Sequence, residues 1–154
     1  MSTTYYWYRP RELDREAFQA WADDCRKIIE AAAADKDGHP VVIRGEDGTG
    51  QPTISSDLIA FNGDASTGLD FEPFLVPRLM KKEFRDRTDE AGRVFRFCKV
   101  AGRPYEGVVA GCLAAFEQRF GPSVRVEVDV SGEPALSVAR DAARHKAALG
   151  GRPR

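Results

Sequence analysis

The chain has only two histidines and three cysteines, almost no net charge, and no apolar run as long as a membrane span. Each shortage excludes a class of function. His39 sits beside Pro40 in a connection and His145 lies near the C-terminus. Neither pairs with a serine or cysteine as nucleophilic catalysis requires, so no catalytic residue is assigned. Cys25, Cys98 and Cys112 are too widely spaced for a zinc pattern and too few for a disulfide framework, so neither metal nor cofactor is expected. A net charge of −1 lacks the basic excess of a dedicated nucleic-acid binder. The opening MSTTYYWYRP has neither the basic nor the aliphatic stretch of a signal peptide, and a cytoplasmic, reduced protein off the membrane is the expectation.

The near-neutral total hides an asymmetry. Residues 12–77 carry five basic and fourteen acidic side chains, whereas residues 78–103 carry nine basic and four acidic. The asymmetry is either a chance difference between solvated faces or a bipolar surface that orients a charged partner or a second copy of the chain.

What is present organises itself around residues 41–76. Three apolar runs, Val41–Ile43, Leu58–Phe61 and Phe71–Val76, are separated by loops of Gly, Asp, Thr, Ser and Asn, which predicts a β-meander. The first loop, Gly45 to Pro52, lacks the Gly-Lys-Ser/Thr ending of a phosphate loop and the alternating acids of a calcium hand. The second opens with Asn62-Gly63, a pair favoured in tight turns. Pro73 has no amide to donate, so the third strand is expected at an edge or a bulge.

Flanking elements follow from periodicity. Tyr5-Tyr6-Trp7-Tyr8 reads as a strand with rings on both faces, covered on both or at the sheet border, with Tyr5 and Trp7 as candidate interaction anchors. A helix follows with Asp14 as cap and Phe18, Trp21, Cys25, Ile28, Ile29 and Ala32 as its buried stripe. Residues 77–93 mix charges with few apolar side chains and read as a protruding segment, where Lys81, Lys82 and Arg85 are further interaction candidates. Residues 94–100 form a strand, and Pro104 leads into a second, strongly apolar helix. Val124, Val126, Val128 and Val130 alternate with Arg125, Glu127 and Asp129, as in a half-buried antiparallel strand. Ser131 to Pro134 is expected to open a third helix.

One corner offers binding chemistry. Lys99, Arg103 and the amides after Pro104 can bind an anion, with Tyr105 as a donor, and Asp47 or Asp64 would face them if a meander loop emerged at that sheet end. The favoured reading of the same groups is a structural salt-bridge cluster.

With GEDGTGQP at 45–52, IAFNGDASTGLDFEPF at 59–74 and FRFCKVAGRPYEGVV at 95–109, residues 39–120 resemble a group of uncharacterised small bacterial and phage proteins. The group usually has threonine where this chain has Val100, aspartate in place of Glu106, and Glu-Thr-Phe in place of Glu72-Pro73-Phe74. The resemblance implies a compact α+β protein found in phage or mobile-element settings, and carries no activity to any residue.

These readings converge on an α+β fold of order β-α-β-β-β-β-α-β-α. Residues 1–150 form a single domain with an antiparallel sheet, helices lie mainly on one face, and residues 151–154 are a flexible tail. The leading function is a non-enzymatic protein-interaction module, phage- or defence-associated as an accessory or inhibitor, whose partner is another protein or a second copy in a homodimer. The alternatives are a ligand binder or enzyme at the Lys99/Arg103 corner, and a single-stranded nucleic-acid binder.

Overall fold

Strand β1 (Thr3–Arg9) lies at the centre of the fold in a computed structural model that describes residues 3–35, 39–130 and 136–137. Its alternation of buried and half-buried residues divides the aromatic run between two faces. Tyr5 and Trp7 point into the core, while Tyr6 and Tyr8 take the opposite phase. The strand pairs antiparallel with β5 (Val94–Lys99) on one side and β6 (Arg125–Val130) on the other. It is therefore a central strand, not a border strand.

The four-stranded sheet has the order β5-β1-β6-β7, where β7 is Leu136–Ser137. Those two residues pair with β6 as a strand instead of opening the expected third helix. The rest of that helix, His145 and the 151–154 tail lie outside the described residues. Strands β5 and β6 are both antiparallel to β1 and so parallel to each other, with helix α2 (Glu106–Phe120) crossing between them in a split βαβ unit.

The remaining strands, β2 (Thr53–Ile54), β3 (Leu58–Phe61) and β4 (Phe74–Pro77), form a separate three-stranded antiparallel sheet. The fold is α+β as expected, but with two sheets where one was anticipated. The meander also shifts along the chain. Val41–Ile43 is not a strand, because the Val41 amide donates to the carbonyl of Ala32 and holds the segment against the end of the first helix. Only Arg44 reaches the sheet, in a single bridge to Asn62. Pro73 falls just before β4 and Pro77 closes it, so β4 lies at the sheet edge as its prolines require.

Helix α1 (Arg15–Ala33) begins where its sequence says it should: Asp14 accepts a hydrogen bond from the Ala17 amide at 3.0 Å. Its buried stripe of Phe18, Trp21, Ala22, Cys25 and Ala32 packs on α2, with the Trp21 and Phe116 rings 4.9 Å apart and Trp21 Nε1 donating to the Cys112 carbonyl at 2.7 Å. Phe74 joins the two sheets to the helices. Its ring lies 5.3 Å from Trp7 of the large sheet, 5.1 Å from Phe61 of the small one and 6.4 Å from Trp21 of α1. Among the described residues, no helix is long and apolar enough to cross a membrane.

Candidate functional site

The Lys99/Arg103 corner is brought together, but by different groups from those anticipated. The Arg103 guanidinium donates to the Asp70 carbonyl at 3.3 Å, the Lys99 amide donates to Glu72 Oε1 at 2.8 Å, and the buried Tyr105 hydroxyl donates to the Glu72 carbonyl. Burial raises the Tyr105 phenol well above its ordinary value, with Cys98 and the acids Glu72 and Asp70 adding to the shift. The second loop is thus locked onto the turn before α2. The helix itself begins at Glu106, two residues after Pro104, and that residue's amide already donates to the Arg103 carbonyl.

Asp47 and Asp64 serve their own loops. Asp47 accepts from the Thr49 amide and hydroxyl, and hydrogen bonding from Thr49 lowers its pKa. Asp64 caps the 3-10 turn Ala65–Thr67; the Ser66 hydroxyl is the main cause of its lowered pKa, and Arg44 lies 3.5 Å away. The two glycine-rich loops do share one rim, since the Ala65 amide donates to the Gly48 carbonyl. Asn62 fastens that rim from within. Its side chain donates to the carbonyls of Glu46 and Phe71 and accepts from the amides of Gly63 and Phe71, all within 3.0 Å. Gly63 does not adopt positive φ, so Asn62-Gly63 is a buried polar anchor and not the tight turn its composition suggests. Among the described residues, no three His, Cys, Asp or Glu side chains gather as a metal site.

A different surface gathers the exposed apolar residues. Seven large hydrophobic side chains are exposed among the described residues, and four of them, Leu75, Leu79, Phe84 and Phe97, belong to one region. Leu75, Leu79 and Phe97 line a shallow open groove of about 600 Å³ running between β4 and β5, with Pro73, Pro77 and Met80. Its polar rim is Glu72, Lys81, Glu83 and Arg96. Such a concentration marks an interaction surface more often than scattered single residues do.

The walls of the groove are held rigidly. Arg9, fully buried, donates to the carbonyls of Pro77 and Arg78 and thereby fixes the end of β4 to the end of β1. Burial pushes this guanidinium down to about 10, and the neighbouring Arg96 adds repulsion. Leu79 bridges to Glu12, and the Met80 amide donates to the Arg11 carbonyl at 2.8 Å.

Two donors near the groove lack an acceptor, one of them sealed from solvent. Trp7, which contributes to the lining, is 1% exposed, and its indole Nε1 has no hydrogen-bond partner. A buried donor in that state costs about 1–3 kcal/mol. Strand β5 is a sheet edge, and the amides of Phe95 and Lys99 point away from β1 toward Arg87 and Glu72. By strand alternation the Phe97 amide between them points off the same edge.

Beside the groove, residues Glu83 to Asp86 form a turn with Phe84 fully exposed at its tip. The Asp86 carboxylate accepts from the Glu83 amide at 3.0 Å and is clasped by Arg11 at 2.6 Å and Arg96 at 3.3 Å. These contacts, led by Arg11, hold the carboxyl down to about 2. Lys81, Lys82 and Arg85 lie exposed on this same segment. The sequence flagged these basic residues but passed over Phe84, a lone aromatic in a charged stretch.

The outward side of the large sheet carries the second cluster of rings. Tyr6 lies 5.7 Å from Phe95 and 6.5 Å from Tyr8, and Phe95 lies 5.8 Å from Phe97. Cations border them: Arg125 is 4.1 Å from the Tyr8 ring, Arg87 5.0 Å from Phe95, and Lys99 6.0 Å from Phe97. Partial burial, then Glu127, raises the Tyr6 phenol to about 12. Tyr6 and Tyr8 thus hold the outward positions considered for Tyr5 and Trp7, which are 2% and 1% exposed.

Comparison with known proteins finds no family model that matches the chain, no similar curated protein and no similar solved structure. Any functional reading therefore rests on these surfaces.

Proposed function

We propose that the protein is a non-enzymatic protein-interaction module whose docking surface is the β4/β5 groove together with the Glu83–Asp86 turn. The observation that carries this is Phe84: a fully exposed aromatic ring on a turn pinned by two arginines, beside a groove that exposes Leu75, Leu79 and Phe97. Rigid aromatic anchors next to apolar pockets are the usual hot spots of interfaces, because little conformational freedom is lost when they dock. The experiment is photo-crosslinking in the cells that make the protein, with p-benzoylphenylalanine in place of Leu79. A discrete adduct that disappears in Phe84→Ala supports the reading; diffuse labelling unaffected by that substitution refutes it.

A second reading has its own observation. The ring cluster Tyr6, Tyr8, Phe95 and Phe97, bordered by Arg87, Lys99 and Arg125, has the makeup of a base-stacking platform for single-stranded nucleic acid. Glu127 and Asp129, opposite Tyr6 and Thr4 on β6, oppose a phosphate backbone along that border. Salt-sensitive binding of an oligothymidine that is lost in Tyr6→Ala would favour it, and the absence of binding at low salt removes it.

A further inference from the structure

We propose that single-stranded nucleic acid lies along the β5 side of the outward sheet face, with its bases stacked on the Tyr6/Phe97 and Tyr8/Phe95 ring pairs and its phosphates facing Arg87 and Lys99. This rests on the second reading above and gives that platform a track and named phosphate contacts. Strand register lays the platform out. Phe97 lies opposite Tyr6 and Phe95 opposite Tyr8, so the rings make two cross-strand pairs, one after the other, on adjacent strands. On the inward side of the same strands, Tyr5, Trp7 and Cys98 join the core with the buried faces of α1 and α2. Ring pairs of this kind suit two or three bases of a single strand, whereas the bases of a duplex are already stacked on one another.

Charge decides which side the backbone takes. Seven arginines among the described residues, Arg11, Arg26, Arg44, Arg78, Arg93, Arg96 and Arg119, are ion-paired with aspartates. Arg87, Lys99 and Arg125 belong to none of these pairs and lie over rings instead. A cation beside a ring face is positioned to meet the phosphate of a base stacked there. The acids of this face sit on β6, with Glu127 opposite Tyr6 and Asp129 opposite Thr4. The outward positions of β5 are Phe95, Phe97 and Lys99, with no acid among them, and Arg87 is fixed at that edge because its carbonyl accepts from the Phe95 amide at 2.8 Å. Glu72 adjoins the same edge, where its carboxylate accepts from the Lys99 amide while the ammonium lies over Phe97. A backbone crossing β6 would run against two carboxylates, and one following β5 meets two cations.

Fluorescence anisotropy tests the track, using the full chain with labelled oligothymidine and oligouridine of about ten nucleotides. Salt varied from about 20 to about 200 mM reads the number of phosphates neutralised. The wild-type chain should bind with a log–log salt slope of about −1.4, roughly −0.7 for each of two phosphates. Arg87→Ala and Lys99→Ala should each reduce the slope by about 0.7, and Arg125→Ala should leave it unchanged. Phe97→Ala should weaken binding about tenfold at an unchanged slope, as loss of one stacking ring does. Phe97 is 48% exposed, and an unchanged circular dichroism spectrum checks that this variant folds. Binding of either oligonucleotide supports the track, and the tighter of the two distinguishes RNA from DNA.

A slope that survives both Arg87→Ala and Lys99→Ala, or one lost only in Arg125→Ala, overturns the track; if Phe97→Ala still weakens binding, the platform stands. Binding indifferent to Tyr6→Ala and Phe97→Ala, or no binding at low salt, overturns both.

Discussion

Trp7 and Trp21 are chemically identical, at most 1% exposed, and differ in one respect: Trp21 Nε1 donates to the Cys112 carbonyl, whereas Trp7 Nε1 donates to nothing. Substituting each by phenylalanine isolates that difference. Shrinking either ring loses about 1 kcal/mol of transfer free energy and opens a void costing about as much again, roughly 2 kcal/mol in all. Trp21→Phe also forfeits a buried hydrogen bond, about 1 kcal/mol, for a total near 3. Trp7→Phe instead removes an unsatisfied buried donor and recovers about 1–3 kcal/mol, leaving a net effect between a cost and a gain of about 1 kcal/mol. Urea unfolding, followed by the fluorescence of the remaining tryptophan at dilute protein, should separate the midpoints by about 1 M or more. Equal midpoints would refute the reasoning: the Trp7 indole would then have an acceptor.

Asn62→Leu should cost about 2–5 kcal/mol, because four backbone hydrogen bonds of the two loops depend on that side chain; thermal unfolding measures it. Asp86 gives a pH dependence of known sign. Its folded pKa is depressed to about 2, so the turn is held above the ordinary value of about 3.9 and released as pH falls toward 2. The Glu83 amide shift, followed by NMR in acid, should titrate near pH 2 and not near pH 4, and Asp86→Asn should abolish the step. At the alkaline end Tyr6 and Tyr105 have raised pKa values, and the folded state keeps both protons above the ordinary tyrosine value of about 10. Stability should fall as pH rises through that value, and phenolate absorbance at pH 11 should stay below that of the urea-unfolded chain.

The elements written in local pattern were legible. Asp14 capped its helix, the valines at 126 and 128 turned inward on β6, and Phe95 and Phe97 shared the outward phase of β5. Elements decided by distant contacts were not. The division into two sheets depends on Phe74 packing between Trp7, Phe61 and Trp21, contacts far apart in sequence. Nothing in the local sequence marks Arg9 for burial, yet strand parity places it among carbonyls. Parity also held the clue to the aromatic strand: if Trp7, its largest ring, packs inward, Tyr5 follows it and Tyr6 and Tyr8 face out. The candidate corner was legible as a meeting place and illegible in detail, because main-chain carbonyls of Asp70 and Glu72 took the roles that sequence assigns to carboxylates. Phe84 was missed because a single aromatic among charges has no periodicity to mark it.

The central claim is that the Phe84 turn and the β4/β5 groove together form a docking surface for another protein. Photo-crosslinking from position 79, in the cells that make the protein, reads that docking directly. The account predicts a discrete adduct that disappears in Phe84→Ala. Diffuse labelling that this substitution leaves unchanged would contradict it.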